Sequence, residues 1–263
     1  MQVLYGFHPV MELLKSGKGN ILSVFLDKDR KDQSAEEIYR LAGRRNIPVK
    51  RENRAALDRL SGGAVHQGIL ALTEDFTYSS LDSILDRGKE NHAHDLLLVL
   101  DSITDPQNLG SLIRSAHCFG VRALIIPKDR AAQVTPAVIK ASAGSALYTP
   151  LCRVTNIAVT VEQLKKEGYW IYGADTTGEH YCGAVSYNRP TVLVLGSEGT
   201  GLRPLVRKKC DCLVRIPMAG MIDSLNVSVA GGILIYEVMR DRLSTPSQNR
   251  SQDPREGSNE PRK

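Results

Sequence analysis

The chain has 263 residues, 42% of them hydrophobic, which is enough for one large or two small domains with a true core. Its formal net charge of +5 permits a polyanionic partner but does not require one. Five cysteines without paired spacing argue against a zinc site and for a reducing cytoplasm, and the sequence predicts neither a signal peptide nor a membrane span.

Residues 1–75 are predicted to form a small α/β unit. Ile38, Leu41 and Ala42 follow the spacing of a helix face within residues 35–46. The predicted helices span residues 10–14, 35–46 and 54–60, and the predicted strands span 21–26, 47–50 and 68–72.

A basic stretch crosses the second half of this unit. Residues 40–59 contain seven Lys or Arg residues and two acidic ones, so the stretch is either a solvated surface or a patch that contacts RNA phosphates. His66 and Gln67 follow in a glycine-rich turn, which serves turn geometry, RNA contact or both. The candidate substrate-binding residues are Arg44, Arg45, Arg51, His66 and Gln67.

Polar residues 76–94 are a candidate linker with one helix at 81–87. Residues 95–243 then alternate strands, at 96–100, 123–126, 170–174, 191–195 and 212–216, with helices at 109–119, 136–143, 157–167 and 225–243. Apolar strands separated by helices indicate a largely parallel sheet that is covered on both faces. Residues 244–263 lack aliphatic and aromatic side chains, so they are predicted to be disordered.

A first motif follows the strand at 96–100. Pro106 suits a first helical turn, which Asp105 or Asn108 can cap. Gly110 and Arg114 are four residues apart and share a helix face. Gly110 would allow another backbone to approach closely and leave Arg114 above a cleft, although an ordinary surface arginine fits the pattern as well.

A second motif, with Gly196, Glu198, Gly199 and Gly201, follows the strand at 191–195. It does not fit a dinucleotide-binding fingerprint, in which the glycines follow the first strand of the domain. A phosphate-binding G-K-[ST] triplet is absent from the sequence as well.

A third motif runs from Ile216 to a helix start, where Ser224 and Asn226 flank Leu225 beside the free N–H groups of the first turn. The helix is apolar nearly all round and contains Gly231-Gly232, which we attribute to a closely packed neighbouring backbone. Such a helix is expected to be buried on all sides, either in one domain or in a subunit interface.

Together these motifs closely resemble the SpoU (TrmH) family of RNA ribose 2'-O-methyltransferases, within the SPOUT superfamily. The residues that carry the resemblance are Asn108, Gly110 and Arg114; Gly196, Glu198, Gly199 and Gly201; and Ile216, Pro217, Met218, Gly220, Ser224, Leu225, Asn226, Val227 and Ser228. The N-terminal unit resembles the ribosomal-protein-L30e-like substrate-binding domain of the 23S rRNA guanosine branch. One departure is Leu147, where that branch commonly has Glu.

The resemblance implies an α/β fold whose C-terminal part forms a deep trefoil knot, and a homodimer with the site at its interface. It implies S-adenosylmethionine as the cofactor, contacted by Gly196, Ile216 and Leu225 with Met218 nearby, and no metal. Its implied catalytic residues are Arg114, Asn108, Glu198, Ser224 and Asn226.

We expect Arg114 to orient the ribose-phosphate, because a guanidinium does not readily give up its proton. The 2'-OH proton would leave through water, phosphate or Glu198. The expected substrate is a guanosine of 23S rRNA; alternatives are another rRNA site, tRNA, or a non-catalytic RNA-binding role.

Overall fold

The structure is a computed structural model that describes residues 1–88 and 94–244. Residues 89–93 of the candidate linker, and the predicted tail from residue 245 onward, lie outside the described residues.

The N-terminal unit is a four-stranded sheet with three helices. Its elements are β1 Gln2–Tyr5, α1 Phe7–Ser16, β2 Ile21–Asp27, α2 Gln33–Arg44, β3 Val49–Glu52, α3 Arg54–Ser61 and β4 Ile69–Thr73. The strand order is β1-β4-β2-β3, in which β2 and β3 are parallel and the other neighbours antiparallel. β1 was not predicted, because four residues are too few to show a clear period.

Side-chain caps set where two of these helices begin. Asp32 accepts a hydrogen bond from the Ala35 N–H before α2, and Asn53 accepts one from the Ala56 N–H before α3. Each satisfies an N–H group that has no partner within its helix.

Residues 76–88 pack on the C-terminal unit. The Tyr78 hydroxyl accepts a hydrogen bond from the Val134 N–H at 2.8 Å, and the Arg153 guanidinium lies 4.0 Å from the Tyr78 ring centroid. Helix α4, Leu81–Gly88, lies where the sequence predicted a helix.

The C-terminal unit is a seven-stranded parallel sheet with the order β7-β6-β5-β10-β8-β11-β9. Its elements are β5 Leu96–Leu100, α5 Pro106–Cys118, β6 Ala123–Pro127, α6 Pro136–Ala141, β7 Leu151–Val154, α7 Ile157–Lys166, β8 Trp170–Ala174, β9 His180–Tyr181, β10 Thr191–Leu195, α8 Pro204–Lys209, β11 Cys212–Arg215 and α9 Val227–Ser244. The short elements β7, β9 and α8 were not predicted.

The core lies on both faces of this sheet, as the sequence predicted. Alternate residues of β5 point to opposite sides: Leu98 packs in one cluster with Leu112 of α5 and Ile235 of α9. Leu97 packs in the other with Val161 of α7. Because the strands are parallel, the loops after β5, β8, β10 and β11 meet at one edge, where ligands of open α/β sheets bind. The strand order is compatible with a knot, which stays a prediction.

Helix α9 is not buried on all sides within this chain. Val229 is 50% exposed and Tyr236 is 52% exposed, whereas Leu234 and Ile235 on the opposite face are buried. The helix begins at Val227, two residues later than predicted, because Asn226 is its cap.

In the glycine pair of α9, Gly231 makes room for neighbouring side chains, which corrects the expectation of a close backbone, and Gly232 has only Ser115 Oγ within 4 Å of an added Cβ. A Cβ at Gly231 would lie 2.3 Å from Leu112 Cδ2 and 2.7 Å from Leu195 Cδ1. None of the helices in residues 1–88 and 94–244 is long and apolar enough to cross a membrane.

Candidate functional site

A cavity of about 580 Å³ opens at the carboxyl edge of the large sheet. Its walls are the loops after β8, β10 and β11 and the first turns of α9. The residues predicted from the second and third motifs line it together, namely Gly196, Glu198, Ile216, Met218, Ser224 and Leu225.

The loop after β10 folds tightly back on itself. Ser197 and Gly201 exchange backbone hydrogen bonds of 3.1 and 3.0 Å. A Cβ at Gly196 would lie 2.1 Å from the backbone carbon of Gly201, so only glycine fits at this position. The turn exposes backbone groups to the cavity, and such groups can bind the polar edges of a nucleoside.

Glu198 connects this loop to the first motif and to α9. Its Oε1 accepts hydrogen bonds from Asn108 Nδ2 at 3.0 Å, from Asn226 Nδ2 at 2.7 Å and from the Val227 N–H at 3.2 Å. The carboxylate lies at the start of a helix, where negative charge is favoured. Because no hydrogen bond among the described residues uses Oε2, that oxygen is free to face a ligand.

Asn226 caps α9 and closes the network. Its Oδ1 accepts hydrogen bonds from the N–H groups of Ser228 and Val229, at 2.9 and 3.3 Å, so Nδ2 must be the atom that points away from the helix. Nδ2 donates to Asn108 Oδ1 at 2.9 Å as well as to Glu198. Three predicted catalytic residues are thus held by one another.

The start of α5 places Asn108 in this network. Asp105 caps the helix by accepting hydrogen bonds from Gln107 N–H at 3.2 Å and Asn108 N–H at 3.1 Å. A Cβ at Gly110 would lie 2.4 Å from Ala141 Cβ and 3.0 Å from the Ser142 nitrogen, which confirms the expected close approach of a backbone, that of α6.

Arg114 lies farther along α5. It is exposed, it does not line the cavity, and it has no hydrogen-bond or ion-pair partner among residues 1–88 and 94–244. The structure therefore separates Arg114 from the cavity within one chain, and leaves its guanidinium open to a partner from outside it.

The residues of the cavity wall that were missed include Asp175, Thr177, Arg207 and Arg215. Burial opposes ionisation of Asp175, but hydrogen bonds from Thr177 and Arg207 outweigh it and lower the pKa of this carboxyl group. The signal was available, since Asp175 directly follows a strand whose end meets the same sheet edge as the second and third motifs.

Two predicted substrate-binding arginines are engaged inside the N-terminal unit. Arg45 donates to the carbonyl oxygens of Leu13, Leu14, Gly17 and Gly19 at 3.1 to 3.4 Å, at the carboxyl end of α1. Arg51 donates to Asp27 O at 3.0 Å and to the Tyr39 hydroxyl at 2.9 Å. These contacts favour structural roles for both residues, whereas Arg44 is exposed.

His66 and Gln67 also hold local structure. His66 is buried, its Nδ1 accepts a hydrogen bond from the Gly68 N–H at 3.0 Å, and its Nε2 lies 2.8 Å from Asp58 Oδ1. Gln67 adopts a φ of 54°, and its Oε1 accepts a hydrogen bond from the Phe7 N–H at 3.2 Å. These contacts occupy the side chains of His66 and Gln67. Any contact of the turn with RNA would therefore come from its exposed backbone groups.

Within residues 1–88 and 94–244, the structure contains no cluster of three His, Cys, Asp or Glu residues that could hold a metal ion. The thiol of Cys210 is not activated either, because burial raises its pKa to about 12.

Known families match both units of the chain. The sequence model of the SpoU rRNA Methylase family matches residues 95–236, and the one for RNA 2'-O ribose methyltransferase substrate binding matches residues 3–79. The chain belongs to the SpoU rRNA methylase family.

Relatives of this SpoU family member align over nearly its whole length. The 23S rRNA (guanosine-2'-O-)-methyltransferase RlmB of Coxiella burnetii is 41% identical over 91% of this chain and 95% of its own. RlmB of Photobacterium profundum is 41% identical over 91% and 98%.

Solved SpoU structures share the fold. AviRb of Streptomyces viridochromogenes superposes with a TM-score of 0.78 at 26% identity, covering 92% of this chain and 90% of its own. A second AviRb structure, a complex with the cofactor AdoMet, has a TM-score of 0.77 at 26% identity, with 92% and 90% coverage. The TrmH/SpoU tRNA modifying enzyme of A. aeolicus has a TM-score of 0.53 at 30% identity, covering 62% of this chain and 84% of its own.

Proposed function

We propose that the protein is an S-adenosylmethionine-dependent methyltransferase that modifies the ribose 2'-OH of a guanosine in 23S rRNA. The observation that carries this proposal is the Asn108–Glu198–Asn226 network at the mouth of a nucleoside-sized cavity. Relatives named for this reaction, at 41% identity over 91% of the chain, support it.

The cavity suits a nucleoside cofactor. Its volume of about 580 Å³ falls in the range of small-molecule sites, and the tight turn at Gly196 presents backbone groups where a larger residue would not fit. Gly196, Ile216, Met218 and Leu225 would hold S-adenosylmethionine, as the AdoMet-bound AviRb supports. When bound, that cofactor supplies an electrophilic methyl group on a sulfonium.

The network positions the ribose. Asn108 and Asn226 bind Oε1 of Glu198 and leave Oε2 without a hydrogen bond among the described residues, and Glu198 and Ser224 both line the cavity. Glu198 Oε2 can accept a hydrogen bond from the 2'-OH and so align that oxygen for in-line attack. Since Oε1 already accepts three hydrogen bonds, we expect Glu198 to orient the hydroxyl and water or phosphate to take its proton.

Arg114 would bind the phosphate of the nucleotide whose 2'-OH is bound by Glu198. A guanidinium presents a planar set of donors that matches phosphate oxygens, and that of Arg114 is free among the described residues. Because Arg114 does not line the cavity of its own chain, the site would be completed only in an assembly.

A homodimer formed through α9 would provide that assembly. Val229 and Tyr236 lie on the exposed face of α9, and Val227 and Ala230 of the same helix line the cavity. Tyr236→Glu should therefore convert a sedimenting dimer to a monomer, and an unchanged dimer would remove this face from the proposal.

The N-terminal unit would bring the RNA, and the reaction would take place where ribosomes assemble in the cytoplasm. A second candidate substrate is tRNA: Leu147 departs from the Glu that is common in the rRNA branch, and the chain is 30% identical to the tRNA modifying enzyme of A. aeolicus. The tRNA enzyme covers only 62% of this chain, whereas the RlmB relatives cover 91%, so we favour 23S rRNA. The complete catalytic set argues against a non-catalytic role.

Ribose-methylation mapping in a strain that lacks the gene tests the substrate. We expect one 2'-O-methylguanosine of 23S rRNA to disappear, and to return with the intact gene but not with Arg114→Ala. Loss of a methyl group from tRNA instead would establish the second candidate.

A further inference from the structure

Asp101 is a buried acidic residue that the proposed mechanism does not use. It directly follows β5, its side chain is 0% exposed, and it lies outside the set of residues that line the cavity. Its Oδ2 accepts a hydrogen bond from the Arg203 N–H at 3.0 Å. Its Oδ1 accepts one from Arg203 Nε at 2.7 Å and lies 2.6 Å from Arg203 Nη2.

Asp101 binds both ends of the glycine loop. Its own N–H donates to the carbonyl oxygen of Leu195 at 2.7 Å, where the chain enters residues 196–202. Its side chain binds Arg203, where the chain leaves them. A single residue just beyond the neighbouring strand β5 is therefore hydrogen-bonded at both ends of the loop that lines the cavity.

The backbone beside Asp101 is constrained as well. Ser102 adopts a φ of 71°, a region that residues other than glycine rarely occupy, and such strain persists only where the surroundings fix it. Ser102 lies between Asp101 and the residues that lead into α5. Asp101 therefore lies four residues before the first motif and is hydrogen-bonded to both residues that flank the loop at 196–202.

The Asp101–Arg203 pair is not expected to contribute much to the stability of the fold. Although the Arg203 side chain is 47% exposed, the Asp101 carboxylate is fully removed from water, which is costly, and apolar residues of similar volume often stabilise a fold as well or better. A guanidinium that binds one carboxylate through two nitrogens supplies a defined direction instead.

We propose that Asp101 and Arg203 are positioning residues for methyl transfer, which act through the loop at 196–202. They fix the loop so that Glu198 meets Asn108 and Asn226, and so that its backbone faces the cofactor. This inference rests on the proposed function for its effect on catalysis, but the ordering of the loop is independent of that function.

Two variants and a control test the proposal. Arg203→Lys keeps a positive charge beside Asp101 but loses the planar fork, and the double variant Asp101→Asn/Arg203→Gln leaves no buried charge unpaired. Lys209→Gln is the control, because Lys209 of α8 pairs with Glu162 at 2.6 Å, six residues beyond Arg203 and away from the cavity.

The readouts are amide hydrogen exchange at Ser197 and Gly201, and calorimetric binding of S-adenosylmethionine. We expect both variants to exchange at least about 10-fold faster at these two amides than the control, and to bind the cofactor about 10-fold more weakly, with RNA affinity unchanged. The proposal would be overturned if the affinity for S-adenosylmethionine fell only in proportion to the melting temperature. In that case the double variant, if it is as stable as the wild type, would bind the cofactor normally.

Exchange at Ser197 and Gly201 that matches the control would overturn it as well, whatever the enzyme does. If the wild type binds no S-adenosylmethionine while the exchange contrast persists, the proposed function fails and the positioning of the loop stands.

Discussion

The side-chain nitrogen of Asn226 lies 2.7 Å from Oε1 of Glu198, and this contact joins the start of α9 to the loop after β10. The same nitrogen donates to Asn108 at 2.9 Å, so elements more than 100 residues apart in sequence share one hydrogen-bond network. Its geometry leads to predictions that can be checked separately.

Removing either amide should disturb the same carboxylate. Asn108→Ala and Asn226→Ala should each lower kcat by about 10-fold to 100-fold, because a misplaced positioning group is costly. The double variant should lose less than the product of the two effects, with a coupling energy of about 0.5–3 kcal/mol in kcat/KM.

Asn156→Ala is the matched control for this cycle. Asn156 caps α7 by accepting a hydrogen bond from the Val159 N–H at 3.2 Å, as Asn226 caps α9, but it lies away from the cavity. It should cost about 1 kcal/mol of stability and leave kcat unchanged. Additive effects of Asn108→Ala and Asn226→Ala would show that the two amides act separately.

Arg114 should affect the reaction and not the binding of the cofactor. Arg114→Ala should lower kcat by about 10²- to 10³-fold, the usual loss when a charge-stabilising donor is removed. The dissociation constant of S-adenosylmethionine should stay the same, because Arg114 does not line the cavity.

Arg114→Lys distinguishes positioning from proton transfer. Lysine can lose a proton but lacks the planar fork, so the positioning role predicts slow turnover at every pH. Full activity with a pH profile shifted to the alkaline side would instead assign the proton to this residue.

Two helical glycines should respond to alanine in opposite directions. Gly231→Ala should destabilise the fold by about 1–3 kcal/mol, since its Cβ would overlap Leu112 and Leu195. Gly43→Ala in α2 should stabilise it by up to about 1 kcal/mol, because a Cβ there meets nothing within 4 Å. Urea unfolding measures both, and a stabilising Gly231→Ala would contradict the packing of α9 on α5.

The structure divides the basic patch into two kinds of arginine. Arg44→Gln should leave thermal stability unchanged and reduce the salt dependence of RNA binding by about one phosphate contact. Arg45→Gln should cost about 1 kcal/mol, because the guanidinium caps the carbonyl end of α1. RNA binding across a salt series, beside thermal unfolding, checks both, and an unchanged salt slope for Arg44→Gln would remove it from the RNA surface.

The sequence predicted which loop residues come together at the carboxyl edge of the large sheet; their role in binding the cofactor stays a prediction. Gly196, Glu198, Ile216, Met218, Ser224 and Leu225 line one cavity because a parallel sheet brings the ends of β10 and β11 to one edge. Strand β5 could also be predicted, because all five of its residues are apolar. The structure buries all five.

Contacts that depend on tertiary structure could not be predicted in the same way. Arg45 and Arg51 count as free charges in the sequence, but Arg45 binds backbone carbonyl groups and Arg51 binds carbonyl groups and the Tyr39 hydroxyl, which no composition reveals. In the sequence, Asp101 is an ordinary polar residue after a strand. Its pairing with Arg203, 102 residues later, becomes visible only in the folded structure. The apolar pattern of α9 predicts that the helix is covered, but it does not show which side is covered within one chain. One face of α9 is exposed in the structure.

The most direct test of the account is transfer of a labelled methyl group from S-adenosylmethionine to protein-free 23S rRNA by the purified protein. We predict label in a single 2'-O-methylguanosine, retained binding of the cofactor but little label with Arg114→Ala, and no cofactor binding with Gly196→Ala, where a Cβ would meet Gly201 at 2.1 Å. Label on a base, or none on any RNA despite tight cofactor binding, would contradict the assignment of ribose methylation to this site.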